Sequence, residues 1–388
     1  MQRSIIAPAE RVTNLRWGIA LLLGFGILVN AFDRVNLTVS GGALRHEFGI
    51  GDVGFGYVLS AFGWTYAVAQ IPVGMLLDRY GVTIVGRVST LCWSLFSLGT
   101  AAAGSFGALF AARVGLGLAE APAFPLDATA TGYWFPTTER SLATAIFDAA
   151  AKLATGIGVP VVALILVAGG WRATFLVTGA VGFLFFVAFY ALYRNPSQHP
   201  RLTHAERAYV ARGGAQPEGV AAGGVGRTFA YLLGRRKIWG LALGFAAYGY
   251  AFTLLLTWLP AYLVRTFQMD VAASGVYTAI PWLVAALAEL VVGGVLVDAL
   301  IRRGLEATRV RKTILACGML LGLSMFGATT TRDPRVAIVY ITLALAGLAV
   351  SAPVAWSLPA LIAPRGAVGT VGAIMNFANA VMAIVAPI

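Results

Sequence analysis

Charge is scarce in this chain of 388 residues, of which only 11% are Asp, Glu, Lys or Arg. An ordinary soluble domain holds about a quarter, so a water-soluble globule is excluded. Lysine is scarcer still: none of Lys152, Lys237 and Lys312 follows a glycine, so there is no phosphate-binding loop and no direct use of ATP. There are three histidines, and His46-Glu47 lacks the second histidine of a zinc-protease motif. An enzyme reading therefore finds no support, and neither a metal nor a cofactor is expected. Cys92 and Cys317, the two cysteines, lie inside apolar runs and read as packing thiols without a redox role. Acids are outnumbered 16 to 28 by Lys and Arg, a formal charge of +12. In an apolar chain such an excess marks loops held on the cytoplasmic side of a bilayer, so nucleic acid is not an expected partner.

What the chain does have is apolar runs, in 59% hydrophobic residues and 46 glycines. Eleven reach the roughly 20 residues a helix needs to cross hydrocarbon: 16–39, 55–77, 83–103, 106–133, 140–168, 171–193, 238–263, 272–298, 312–330, 335–361 and 366–388. The expected fold is an all-α polytopic membrane protein. Residues 1–193 form a first six-helix bundle, 194–237 a polar linker rich in Gly, Pro and Arg, and 238–388 a second bundle with five helices present. A twelfth helix is expected beyond Ile388 in the natural protein. The first run, preceded by Arg3, Arg11 and Arg16, is too long for a signal-peptide core. With a cytoplasmic N-terminus, only Arg45, Arg172, Arg265, Arg332 and Arg335 fall outside, and Arg34, Arg113 and Lys152 fall within spans. That bias sets the orientation, and a monomer in the bacterial inner membrane is expected. The linker histidines His199 and His204 read as solvated.

The halves repeat. Gly74-x-x-x-Asp78 at the end of the second span recurs as Gly294-x-x-x-Asp298 at the end of the eighth, each before a basic loop. Such internal symmetry is typical of transporters whose two bundles rock about a midplane site.

Gly74-Met-Leu-Leu-Asp78-Arg79-Tyr80-Gly81, ending at Arg87, resembles the loop-2/3 signature of the major facilitator superfamily. Asp33-Arg34-Val35-Asn36-Leu37, Tyr66 with Gln70-Ile71-Pro72, and Arg113 through Glu120-Ala121-Pro122 to Trp134-Phe135-Pro136 resemble its anion:cation symporter branch. Trp356, Ala363-Pro364, Gly369, Asn376 and Asn379 extend the likeness over nearly the whole chain. The resemblance implies uptake of sugar acids and other organic carboxylates with protons, and a gating clasp at Asp78, Arg79 and Arg87. Two departures stand out: Ala31 where the branch often has tyrosine, and Lys152 where it is usually uncharged.

A charge at mid-helix costs about 2.5–3.5 kcal/mol even on the lenient insertion scale, so each asks for a partner or a task. Arg113, Glu120 and Asp127 recur every seven residues in the fourth span, which keeps them within about 20° of one helix face. Asp33 and Arg34 reach a depth compatible with Arg113. An Asp33–Arg113 pair is therefore expected, leaving the planar guanidinium of Arg34 for a carboxylate. Asp148 and Lys152, four apart, either pair within their helix or leave the ammonium free to reach the cavity. Glu289 is the comparable buried acid of the second half, either a proton site or a group bonded to a neighbouring helix.

Ionised, Arg34, Arg113 and Lys152 balance Asp33, Glu120 and Asp148; protonating Asp33 and Glu120 leaves a net +2 that favours an anion, which in turn favours the protons. Asp33 and Glu120 are thus the expected proton-coupling acids, with Arg113 and Asp148 as charge partners. Arg34, Tyr66, Lys152, Tyr250, Trp356 and Asn376 are the expected substrate contacts. The function expected is proton-driven import of an organic anion; a proton antiporter or a membrane receptor on the same fold are the alternatives.

Overall fold

The computed structural model describes residues 12–219, 224–269 and 271–386; Arg3 and Arg11 lie outside the described residues. Every regular element described is helical. Among the described residues, nine helices are long and apolar enough to cross a membrane, and two are of double length, Asp52–Ala101 and Arg140–Leu192. Each double helix bends at one glycine, Gly81 (φ 77°) and Gly170 (φ 74°). A side chain would be strained at that left-handed φ, so glycine there lets the chain turn back with almost no loop. Counted at those bends, the described residues give eleven spans in the expected places.

Proline breaks the fourth span into Phe106–Glu120 and Ala123–Trp134. Pro125 has no N–H, so the carbonyl of Ala121 loses its helical donor; Gln70 Nε2 of the second span replaces it at 3.1 Å. The eighth span runs as Val271–Ala288, a π-helical stretch Glu289–Leu296, and Val297–Arg302. The seventh is Arg236–Phe267, the tenth Pro334–Ser357 continued by Pro359–Ile362, and the eleventh Val368–Val385.

The linker is more ordered than its composition suggests. It contains the helix His204–Arg212, whose N-cap Thr203 accepts from the Glu206 amide at 3.2 Å, and the helix Val225–Leu233. Arg16 ties this layer to the first span, 2.7 Å from Glu139 and 2.8 Å from Glu206. His199, expected to be solvated, is buried edge-on against Trp134.

The two halves meet along spans 2 and 11 and along spans 5 and 8. At the end of the bundle nearest the linker, each seam closes in the same way. Asp78 accepts from the Gly369 and Thr370 amides, both at 2.8 Å. Asp298 accepts from the Ser141 and Leu142 amides at 3.2 and 2.8 Å. These are the second and third residues of spans 11 and 5, the positions an N-cap side chain normally serves. Neither Ala367 nor Glu139, the local cap residues, does so. The cap thus comes from the opposite half. The repeated glycines let the helices cross closely enough: a Cβ on Gly74 would lie 2.4 Å from Ala373 Cβ, and one on Gly294 2.9 Å from Leu142 Cδ1.

Candidate functional site

Above these clasps, spans 1, 2, 3, 4 and 11 gather the polar groups of the first half around a stacked pair of rings, Phe62 and Tyr66, with centroids 5.6 Å apart. The Arg34 guanidinium lies 5.2 Å from both ring centres, and that of Arg113 lies 5.1 Å from Phe62. Arg34 Nη2 donates to Asn30 Oδ1 at 3.0 Å, and its Nε is 3.5 Å from Glu120 Oε2, an ion pair without hydrogen-bonding geometry. Its side chain is 39% exposed while that of Glu120 is fully buried. The Arg34 side chain is thus partly accessible, while the carboxylate beside its Nε is not.

The expected Asp33–Arg113 pair does not form. Asp33 Oδ1 instead accepts from Ser97 of the third span at 2.6 Å. Arg113 makes no ion pair among the described residues, and its buried Nε and Nη1 have no hydrogen-bond partner. The same holds for Asp33 Oδ2 and both oxygens of Glu120. Buried polar atoms are normally satisfied, and these open donors and acceptors lie close together beside the two rings. The donors belong to two arginines, whose forks suit a carboxylate. Tyr66 and Asn376 lie together: Asn376 Nδ2 donates to Tyr66 Oη at 2.9 Å and to Gln70 Oε1 at 3.1 Å. This polar bridge links the two halves.

Other expected members are placed elsewhere. Lys152 is not a free cation in the cavity: its Nζ is 2.5 Å from Asp148 Oδ2 and 2.8 Å from Glu289 Oε2, with the side chain 2% exposed. The intrahelical pairing with Asp148 is realised, and a second acid from the other half completes it. Tyr250 points outward, 42% exposed; Tyr248, two residues earlier, is the tyrosine that turns inward toward Lys152. Trp356 is packed in an aromatic cluster with Phe124, Phe147 and Phe245 at 5.2–6.1 Å. That cluster is drawn from both halves, and Trp356 within it is buried. Asp127 leaves the stripe of Arg113 and Glu120 because the proline break intervenes; it faces a small pocket inside the first bundle, with Trp93, Phe185 and Leu126.

The expected charge clasp also takes a different form. Asp78 is held by amides and not by arginine. Arg79 lies over Tyr80, while Arg87 lies over Tyr190 and donates to its carbonyl at 3.4 Å. Backbone N–H groups at a helix start supply the positive end that the carboxylate needs. Asn30, Phe62 and Ser97 went unrecognised in the sequence. The first two carried a signal, since each lies four residues before Arg34 or Tyr66 on the same helix face; Ser97 carried none.

An all-helical bundle closed by paired aspartate caps around a buried acid–base set is the build of a two-bundle membrane transporter. The Major Facilitator Superfamily pattern matches residues 23–387, and the chain belongs to that superfamily: it is an integral membrane transporter and not an enzyme. It is 39% identical to the transporter YybO of Bacillus subtilis (strain 168) over 95% of this chain and 85% of that one. It is 33% identical to the probable galactarate/D-glucarate transporter GudP of the same organism, over 99% of this chain and 86% of that one. Among solved structures, the proton:xylose symporter XylE superposes with a TM-score of 0.71 at 15% identity, covering 97% of this chain and 89% of that one, a likeness of fold alone.

Proposed function

We propose that the protein imports a sugar acid together with protons by alternating access, in the bacterial inner membrane with its N-terminus in the cytoplasm. The observation that carries this reading is the shared use of one guanidinium. Arg34 is 3.5 Å from the fully buried Glu120 while its own side chain stays partly accessible, so an incoming carboxylate and Glu120 compete for the same positive charge. Protonating Glu120 releases Arg34 to the substrate, and a bound anion favours the proton on Glu120; the two bindings help each other, as symport requires. Asp33, buried with one oxygen unpartnered, is the second coupling acid. Arg113 supplies a further donor set, and the Tyr66–Gln70–Asn376 bridge offers polar atoms for hydroxyls. The similarity to a probable galactarate/D-glucarate transporter supports a polyhydroxylated acid as the cargo, and the protein works as a monomer.

The test is uptake into proteoliposomes of labelled galactarate, glucarate, galactonate, succinate and xylose, with and without an inward proton gradient. Gradient-driven accumulation of sugar acids, with xylose excluded, is expected. Uptake indifferent to the gradient would remove proton coupling, and efflux driven by an inward gradient would make the protein an antiporter.

A further inference from the structure

Away from the arginines, one buried charge cluster joins the halves. Asp148 and Lys152 stand on span 5, and Glu289 on span 8; their exposures are 5%, 2% and 0%. Glu289 Oε2 lies 2.8 Å from Lys152 Nζ, yet neither Glu289 oxygen has a partner in hydrogen-bonding geometry. The contact is ionic, with hydrogen-bond capacity left over. From span 7, the Tyr248 phenol faces Lys152 and the Phe252 ring centre is 5.5 Å from Nζ. Span 10 presents apolar groups to this stretch of span 8, Val350 and Pro353 against Gly293. The charged groups facing Glu289 are therefore Lys152 and Asp148.

Two acids share one base, so the cluster carries −1 when all are ionised and becomes neutral with one added proton. Its division between the halves decides where that proton belongs. Asp148 and Lys152 are one turn apart on the same helix and move as a neutral pair. Glu289 belongs to the other half. Separating the halves with Glu289 ionised would strand a buried carboxylate without its cation, which is strongly unfavourable; with Glu289 protonated, no charge is stranded. The π-helical stretch that begins at Glu289 is of a kind frequent at functional sites.

We propose that Glu289 is a second proton-binding site, which holds a proton whenever spans 5 and 8 are apart and sheds it when Lys152 returns. The proton moves between water and a Glu289 carboxylate oxygen, and no other bond changes. This builds on the proton-coupled reading and adds a titrating group that does not touch the substrate.

The experiment follows opening of the linker end as the distance between spin labels at Thr138→Cys and Arg303→Cys, with Cys92 and Cys317 replaced by serine. The labelled protein sits in lipid nanodiscs without substrate. The parent carries Asp33→Asn and Glu120→Gln, which silences the acids of the first site. Between about pH 5 and pH 9, the parent's open-to-closed ratio is expected to rise on acidification by up to about tenfold per pH unit, the limit for one linked proton. Adding Glu289→Gln should raise the open fraction at neutral pH and flatten its pH dependence. Adding Asp148→Asn leaves one acid to one base, so the open fraction should fall. A parent with no pH dependence, a Glu289→Gln variant that keeps the parent's slope, or an Asp148→Asn variant that opens further would each overturn the proposal. If Glu289→Gln does not fold, the parent slope and the Asp148→Asn direction decide. Gradient-independent uptake by the unmutated protein would remove the symport reading alone; a flat parent slope beside gradient-driven uptake would remove Glu289 alone.

Discussion

At the scale of single residues, the site turns on Arg34, whose guanidinium serves Asn30, Glu120 and two aromatic rings at once. A lysine ammonium can replace the charge but not the planar fork or its stacking. Arg34→Lys is therefore expected to lose a charge-assisted contact, about 1.5–3 kcal/mol, and to raise the KM for a sugar acid by about ten- to hundredfold. Unchanged KM in uptake assays would reduce Arg34 to a neutraliser of Glu120. Glu120→Gln mimics the protonated acid and leaves Arg34 free. Counterflow exchange should survive in it, and accumulation driven by a proton gradient should disappear; accumulation at the unmutated level would exclude Glu120 from the proton path. The sequence displayed these residues as charges in an apolar chain, where each one stands out. It did not display their pairing. Depth alone points Asp33 to Arg113, whereas Ser97, arriving from the third span, takes Asp33 and leaves Arg113 beside Phe62. For Lys152 the sequence offers pairing with Asp148 or a free ammonium, and its second acid, Glu289, comes from the other half.

At the scale of elements, helix starts and crossings dominate. Spans 5 and 11 begin without a cap of their own, so their early amides depend on Asp298 and Asp78. Asp78→Asn keeps the shape and removes the charge, weakening the linker-end closure by about 1–3 kcal/mol. A cysteine placed near that end should then react faster with a hydrophilic maleimide; an unchanged rate would mean that the cap does not hold the closed form. The linker makes a separate prediction. Burial against Trp134, with Arg201 and Arg194 nearby, pushes the His199 imidazole below its ordinary 6.5. Because the docked form disfavours protonation, its contribution is complete above that ordinary value and fades as pH falls through the lower value of the docked state. Trypsin should therefore cut within 194–219 faster as the pH drops below about 6.5, and His199→Gln should flatten that dependence. The spans themselves were legible from hydropathy, and the aspartate repeat flagged both closures. The acceptors were not legible: an amide at a helix start leaves no mark on the side chains, and the neighbouring arginines were the more visible candidates.

At the scale of the whole molecule, each seam between the halves is fastened at two levels. Spans 2 and 11 have the Asp78 cap with the Tyr66–Gln70–Asn376 bridge above it; spans 5 and 8 have the Asp298 cap with the Lys152–Glu289 ion pair above it. Asp78→Asn and Asp298→Asn act on opposite seams without shared partners, so their effects on linker-end opening should add within about 0.5 kcal/mol. A double variant no more open than either single one would mean that one seam alone controls closure. The reciprocity of the two caps has a further meaning. An aspartate of one half reaching the helix start of the other, answered by the same contact in reverse, is the self-complementary interface of a twofold dimer. At that level both halves offer the same kind of contact, so the caps alone do little to tell a half from a copy of itself. Discrimination falls to the level above, where one seam carries an ion pair and the other a set of amides and a phenol, so those unlike contacts give a fused pair of near-equivalent subunits its single correct mate.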